Sequence, residues 1–262
     1  MSAALPGPRP APSVRRAFTL LATAELAGMA KNRRSLLWTT AVPVAILVLG
    51  VSQVSGHASP GRVWAIVALA AVMGAFVLGL VGYSTDLVGY RERGVFRRLR
   101  TTPVPASLIL VVRAMAALAA MLLAFLVVVV VAALAYHVHP TVATVAGGLG
   151  VMALGGLSAV ALAQVIVART ARAQSATALA RLVLMVSLFL TGFFIRLQVW
   201  PVFWRHVAEW TPVRLAGALL VPTLQGQPWG PTAWHDAGGL VAWIVVTGVV
   251  GVVAFRWEGG DR

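Results

Sequence analysis

The residues able to do covalent chemistry are few, and their placement removes most reactions. There is no cysteine, so thiolate nucleophiles, disulfides and sulfur-ligated metal sites are excluded. Of the histidines His57, His137, His139, His206 and His235, only His137-x-His139 has ligand-like spacing. That pair sits in a brief turn with no carboxylate nearby and no i,i+4 partner, which reads as a solvated loop rather than a metal site. No Gly-x-x-x-x-Gly-Lys-Ser/Thr loop occurs, because the glycines cluster in apolar stretches without the lysine that would reach phosphate. The chain therefore does not hydrolyse ATP by itself.

The seven acids, Glu25, Asp86, Glu92, Glu209, Asp236, Glu258 and Asp261, all lie at or beyond the ends of apolar stretches. Proton-driven transport needs a carboxylate or histidine at membrane depth, and here Gln164 and hydroxyls are the clearly buried polar groups. If the chain moves a solute uphill, its energy comes from another polypeptide; a channel or scaffold would show the same absence. An intramembrane enzyme would need a catalytic constellation at depth, and no Ser/His/Asp set, Asp pair or histidine cluster stands there.

What remains is charge. Tyr90-Arg91-Glu92-Arg93-Gly94-Val95-Phe96-Arg97-Arg98-Leu99-Arg100, followed by Thr101-Thr102-Pro103-Val104, places five arginines between two long apolar stretches. Each would cost roughly 2.5 to 3.5 kcal/mol at a helix centre in the bilayer, so the cluster belongs at a membrane surface. Asp86 to Leu99 can form a helix with Leu87, Tyr90, Val95, Phe96 and Leu99 as apolar contacts, stopped by Thr101 to Pro105. Residue types leave two partners open, anionic lipid headgroups and a docking protein.

The elements that position this cluster follow from composition. The chain has 262 residues, 60% of them hydrophobic and 11% charged, with mean hydropathy +0.89. That is the composition of an all-α polytopic membrane protein, and the +14 charge falls in clusters flanking apolar runs rather than in a nucleic-acid stripe. Six stretches reach the roughly 20 residues a span requires: 36–54, 63–83, 108–136, 142–167, 176–195 and 238–255. Six spans put both termini on one side. Of the 21 basic residues, all but Arg62, Arg196, Arg205 and Arg214 then share that side, which predicts N-in, C-in topology. Trp38, Trp64 and Trp257 fall at span ends, as indoles prefer.

Residues 1–13 read as a disordered Pro-rich cytoplasmic tail, without the uninterrupted apolar core and cleavage site of a signal peptide. Residues 14–262 form one transmembrane domain. Val14, Phe18, Leu21 and Gly28 recur at helical spacing, so 14–30 reads as an amphipathic interfacial helix or, failing that, a loose tail. Ala71, Ala75 and Gly79, and Gly147, Gly148, Gly150, Gly155 and Gly156, mark close helix packing within one chain or between two. Arg196 to Asp236 carries five tryptophans, with Pro201 and Thr211-Pro212 as helix starts. Two short helices over 200–220, half-sunk in the outer leaflet, are expected, against a plain external loop.

With these residues in place, the chain resembles the permease subunits of ABC-2 type transporters. Their first cytoplasmic loop reads Glu-Arg/Lys-x-Gly-Thr-Leu, two variable or basic residues and Leu-Arg-x-Thr-Pro, and Glu92 to Pro103 is similar to it. Leu190-Thr191-Gly192-Phe193-Phe194, then Pro201 and Thr211-Pro212, is similar to the family's end of span five and its outer helices. Ile195-Arg196-Leu197-Gln198 departs from the Pro and Leu-Glu that often follow. The resemblance implies an ABC-2, type V exporter-like permease fold in a bacterial plasma membrane. Two such chains, identical or sister permeases, form the pathway and two separate ATPase subunits dock beneath. It makes Tyr90 to Arg100 part of a coupling helix, 86–100, seated on the ATPase, and places Phe193, Phe194 and Arg196 on the substrate pathway. Arg196 there either attracts anionic cargo or snorkels. No cofactor is then bound by this chain; ATP and Mg belong to the partner. Cargo of such short members is drug- or antibiotic-like, while others export lipid-linked polysaccharide or haem-related molecules. A non-transporting membrane assembly or signalling protein is the competing class.

Overall fold

In the computed structural model, which describes residues 14–31, 33–54, 59–94, 106–191 and 200–254, every regular element is helical. In chain order these are α1 (Val14–Lys31), α2 (Arg33–Ser52), α3 (Pro60–Glu92), α4 (Ala106–Tyr136), α5 (Val142–Arg169) and α6 (Ala173–Leu190). The short α7 (Val202–Glu209) and α8 (Pro212–Leu224) precede α9 (Pro231–Ala254). Among the described residues five helices are long and apolar enough to cross a membrane: α3, α4, α5, α6 and α9. Shorter apolar helical lengths are Thr40–Ser52 within α2 and the whole of α8.

Helix ends follow local chemistry. α3 starts at Pro60 behind Ser59, where the proline ring presets the helical φ and lacks only an N–H that would have had no partner. α5 starts in a capping box: Thr144 N donates to Thr141 Oγ1 at 3.2 Å, and Thr141 N donates to Thr144 Oγ1 at 3.0 Å. α3 is not α-helical throughout. Val77–Gly82 forms one π turn, a local widening that recurs at functional positions.

α5 is the centre of the bundle, packing on α9, α8, α4 and α3. Its glycines make this possible. A methyl group at Gly155 would stand 3.1 Å from Ala216 Cβ, and one at Gly147 would stand 2.8 Å from Thr223 Cγ2, so only glycine lets α8 lie this close. The stripe Gly147, Gly148, Gly155, Gly156 is thereby used inside the chain, while Gly150 faces open space.

Those two contacts run in opposite directions along α5 and α8, so the helices are antiparallel. Gln225 Nε2, at the C-cap of α8, donates to Gly61 O in the first turn of α3 at 3.0 Å. α8 therefore runs along the bundle toward the Pro60 end of α3, and its first turn lies beside the middle of α5. At about 1.5 Å per residue its 13 residues penetrate about 20 Å. The expectation is two short helices over 200–220, half-sunk in the outer leaflet; α7 and α8 occupy Val202–Glu209 and Pro212–Leu224, and α8 packs lengthwise against α5. The reason is its buried face, Val213, Leu215, Ala216, Leu219 and Leu220, which is matched by the glycines of α5.

Of the six expected stretches, 36–54 holds only the shorter apolar length Thr40–Ser52 among the described residues, and the other five differ at their ends. α9 begins at Pro231, so Trp234, His235 and Asp236 are helical, and α6 ends at Leu190. Of the expected helix over 86–100, the described part ends early: α3 runs through 86–92, stops at Glu92, and Gly94 takes a φ of 67°, while 95–100 lie outside the described residues. Glycine at that left-handed position terminates the helix without the strain a Cβ would add.

Candidate functional site

The last turn of α3 points successive side chains about 100° apart, so a helix end enclosed by neighbours can grip several at once. Tyr90, Arg91 and Glu92 do this. Arg91 Nη1 donates to the carbonyls of Val167 at 3.2 Å and Thr170 at 3.0 Å, at the C-terminal end of α5. These are groups a helix end leaves without intrahelical donors, and a cation there also suits the negative end of the macrodipole. Glu92 Oε1 accepts from the backbone N–H of Ala173 at 3.0 Å, the first residue of α6, where an anion suits the positive end. The connection from α5 to α6, Thr170 to Arg172, is thus pinned from both sides by adjacent residues of α3.

Tyr90 faces the other way. Arg113 of α4 lies over its ring, with the guanidinium carbon 3.7 Å from the centroid, and Arg93 stands 4.9 Å from it. Arg113 Nη2 also meets Glu25 Oε2 of α1 at 3.0 Å, with both side chains largely covered. Through these contacts the end of α3 is tied to α1, α4, α5 and α6.

The grip continues upward. Thr85 Oγ1 and Thr177 Oγ1 are 2.7 Å apart between α3 and α6, and Gln164 Nε2 of α5 donates to Tyr83 Oη. Leu87 and Val88 are fully buried between these polar contacts. Above them the π turn meets α4 and α5 at Gly79, where an added Cβ would be 2.7 Å from Met121 Cε and 2.8 Å from Ala159 Cβ. A displacement of the α3 end has little slack before it reaches the bundle centre.

Of the residues named from sequence, Tyr90, Arg91, Glu92, Arg93 and Gly94 are thus assembled at one junction. Val95, Phe96, Arg97, Arg98, Leu99 and Arg100, and likewise Phe193, Phe194 and Arg196, lie outside the described residues. Glu25, Arg113, Thr170 and Ala173 join the junction without having been singled out. The signal for Arg113 was present, since it is a lone charge inside the third apolar stretch.

A second feature is a lateral groove of about 860 Å³ between α2, α3, α8 and the end of α6. Its walls are apolar, including Ile46, Leu49, Ile66, Leu69 and Met73, and its polar lining comes from Gln53, Arg62, Thr191 and Arg214. Among the described residues no three His, Asp or Glu side chains cluster as metal ligands.

The sequence profile of the ABC-2 type transporters matches residues 16–223, from α1 through α8. The chain belongs to the ABC-2 type transporter family. The match takes in both the α3 junction and the groove, so the helical bundle is that of a multi-pass, permease-like membrane protein. Comparison with curated proteins gives no match.

Proposed function

We propose that this ABC-2 chain is the membrane subunit of an ATP-driven exporter, paired with a second permease copy and two separate ATPase subunits. The observation that carries the reading is the α3 junction. Tyr90, Arg91 and Glu92, which open the basic segment, reach α4, α5 and α6 through hydrogen bonds and a ring contact, and α1 through the Arg113–Glu25 pair. A soluble partner seated on Tyr90 to Arg100 from the cytoplasm would move α3 together with the ends of α1, α4, α5 and α6. Both termini lie on that same side, six spans cross the membrane, and α2 is the first of them.

Closure of the ATPase pair on ATP would tilt these helices as a set and shift the chain between two packings, opening a path toward the outer leaflet. The apolar groove suits a hydrophobic or amphipathic cargo, with drug- or antibiotic-like molecules as the leading class. ATP and Mg act on the partner, and this chain binds neither. Co-purification with the partner ATPase tests the reading. Charge reversal at Arg97 and Arg98 is expected to abolish both co-purification and ATP-driven extrusion, and full retention of both overturns it.

A further inference from the structure

The groove holds two arginines in electrostatically unusual places. Arg62 is in the first turn of α3 and Arg214 in the first turn of α8, the ends where helix dipoles favour acids, and neither first turn carries one. Among the described residues no carboxylate lines the groove. No hydrogen bond or ion pair engages either guanidinium among the described residues, and Arg214 is half-buried. The two stand at different heights. Arg62 is near the outer rim, beside the Gly61–Gln225 contact, whereas Arg214 is 11 residues along α8 from Gln225 and lies about 16 Å deeper. That is further than an arginine can snorkel to reach headgroups, and an intramembrane cation facing a cavity calls for a ligand.

We infer that the groove binds an amphiphile bearing one anionic group, a carboxylate or phosphate. Its acid sits on Arg214, its hydrocarbon lies against Ile46, Leu49, Ile66 and Leu69, and Arg62 receives the acid at the rim. The inference rests on the transport reading for what the occupant is, namely cargo in transit. Depth argues for cargo over a resident phospholipid, whose headgroup stays at the interface and could meet Arg62 but not Arg214. Guanidinium and carboxylate or phosphate pair in a two-pronged geometry, so an acid gains specificity there that a neutral amphiphile lacks.

The test is equilibrium binding of dansyl-undecanoic acid and of the matching dansyl-undecanol to the full-length chain in phosphatidylcholine nanodiscs. The acid is expected to bind about 10-fold tighter than the alcohol. Arg214→Gln should remove that preference and leave the alcohol unchanged; Arg214→Lys should keep most of it; Arg62→Gln should weaken the acid about threefold. Equal binding of both probes to the native chain, or equal loss of both in Arg214→Gln, overturns the inference. So does displacement of the acid by a few mole per cent phosphatidylglycerol, which marks a resident-lipid site. Disulfide formation between two copies of Ile66→Cys also overturns it, because a second copy then fills the groove. With the ATPase added, ATP should release the bound acid. Selective acid binding that ATP never releases refutes the cargo assignment and the transport reading together, while ATP-driven extrusion of a neutral amphiphile without acid selectivity refutes the groove alone.

Discussion

Arg113 of α4 pairs with Glu25 of α1 at 3.0 Å while lying over the Tyr90 ring, so one guanidinium joins α1, α4 and the end of α3. Both side chains of the pair are largely covered, which lifts it above an exposed surface bridge in value. A double-mutant cycle of Glu25→Gln and Arg113→Gln should give a coupling of about 1 kcal/mol in detergent unfolding. Additive single-site effects would mean the contact does not hold α1 to the bundle.

Arg91 and Arg93 carry the same charge two residues apart but have different partners. Arg91 serves two carbonyls at the end of α5, whereas Arg93 rests on the face of Tyr90. Arg91→Ala should therefore destabilise the chain by about 2 kcal/mol, and Arg93→Ala by less than about 1 kcal/mol. Unfolding midpoints in one detergent decide the order, and a reversed order would displace Arg91 from its role.

Glu92 caps α6 through an acceptor alone. Glu92→Gln keeps a side-chain oxygen for Ala173 N–H, and Glu92→Ala keeps none. The alanine variant should lose about 1 kcal/mol, the glutamine variant less, with hydrogen exchange rising first at Ala173 and its helical neighbours. Equal protection in both variants would refute the cap.

At the π turn, Gly79→Ala drives a methyl group into Met121 Cε and Ala159 Cβ. The methionine end can swing aside but the alanine carbon cannot, so a loss of about 1 to 3 kcal/mol is expected. Ala159→Gly in the same chain should restore most of it. Failure of this rescue would mean that α3 and α5 do not meet at Gly79.

Because the chain lacks cysteine, single introduced thiols report sidedness without background. His139→Cys, in the exposed turn before α5, should react with an impermeant reagent added outside whole cells, and Ala171→Cys, in the turn before α6, only after permeabilisation. The opposite pattern would invert the proposed topology.

Much of the fold was legible because long apolar runs must be helices in lipid, where every backbone polar group needs an internal partner. The runs behind α4, α5 and α6 were visible to within about five residues, that behind α3 fell nine residues short of Glu92, and Thr211-Pro212 marked the start of α8. The stop of α3 was written in Arg93-Gly94, although the apolar spacing of Val95, Phe96 and Leu99 suggested continuation. The π turn left no pattern, since Val77 to Gly82 reads as ordinary apolar helix.

The junction was half legible. Five arginines crowded between spans had to lie at a surface, but their partners could not be read, because Arg91 and Glu92 bind backbone groups of residues 76 to 81 positions away, and backbone groups carry no sequence signature. Arg113, a lone charge in an apolar stretch, shows no partner in sequence, because Tyr90 and Glu25 reach it only through the fold.

Sequence alone determined the solvent of this protein, the helical state of its long runs and the surface position of its basic cluster, since each follows from the cost of placing a polar group in hydrocarbon. Tertiary structure alone decided which faces meet. Valines coat the exposed side of α9 at Val241, Val245 and Val249, and valines also fill the core at Val128 and Val151. In lipid both sides of a helix are equally apolar, so hydrophobic periodicity cannot tell inside from outside. Close fit decides instead: the glycines of α5 admit α8 into the bundle, and only that docking carries Arg214 to the depth of the groove.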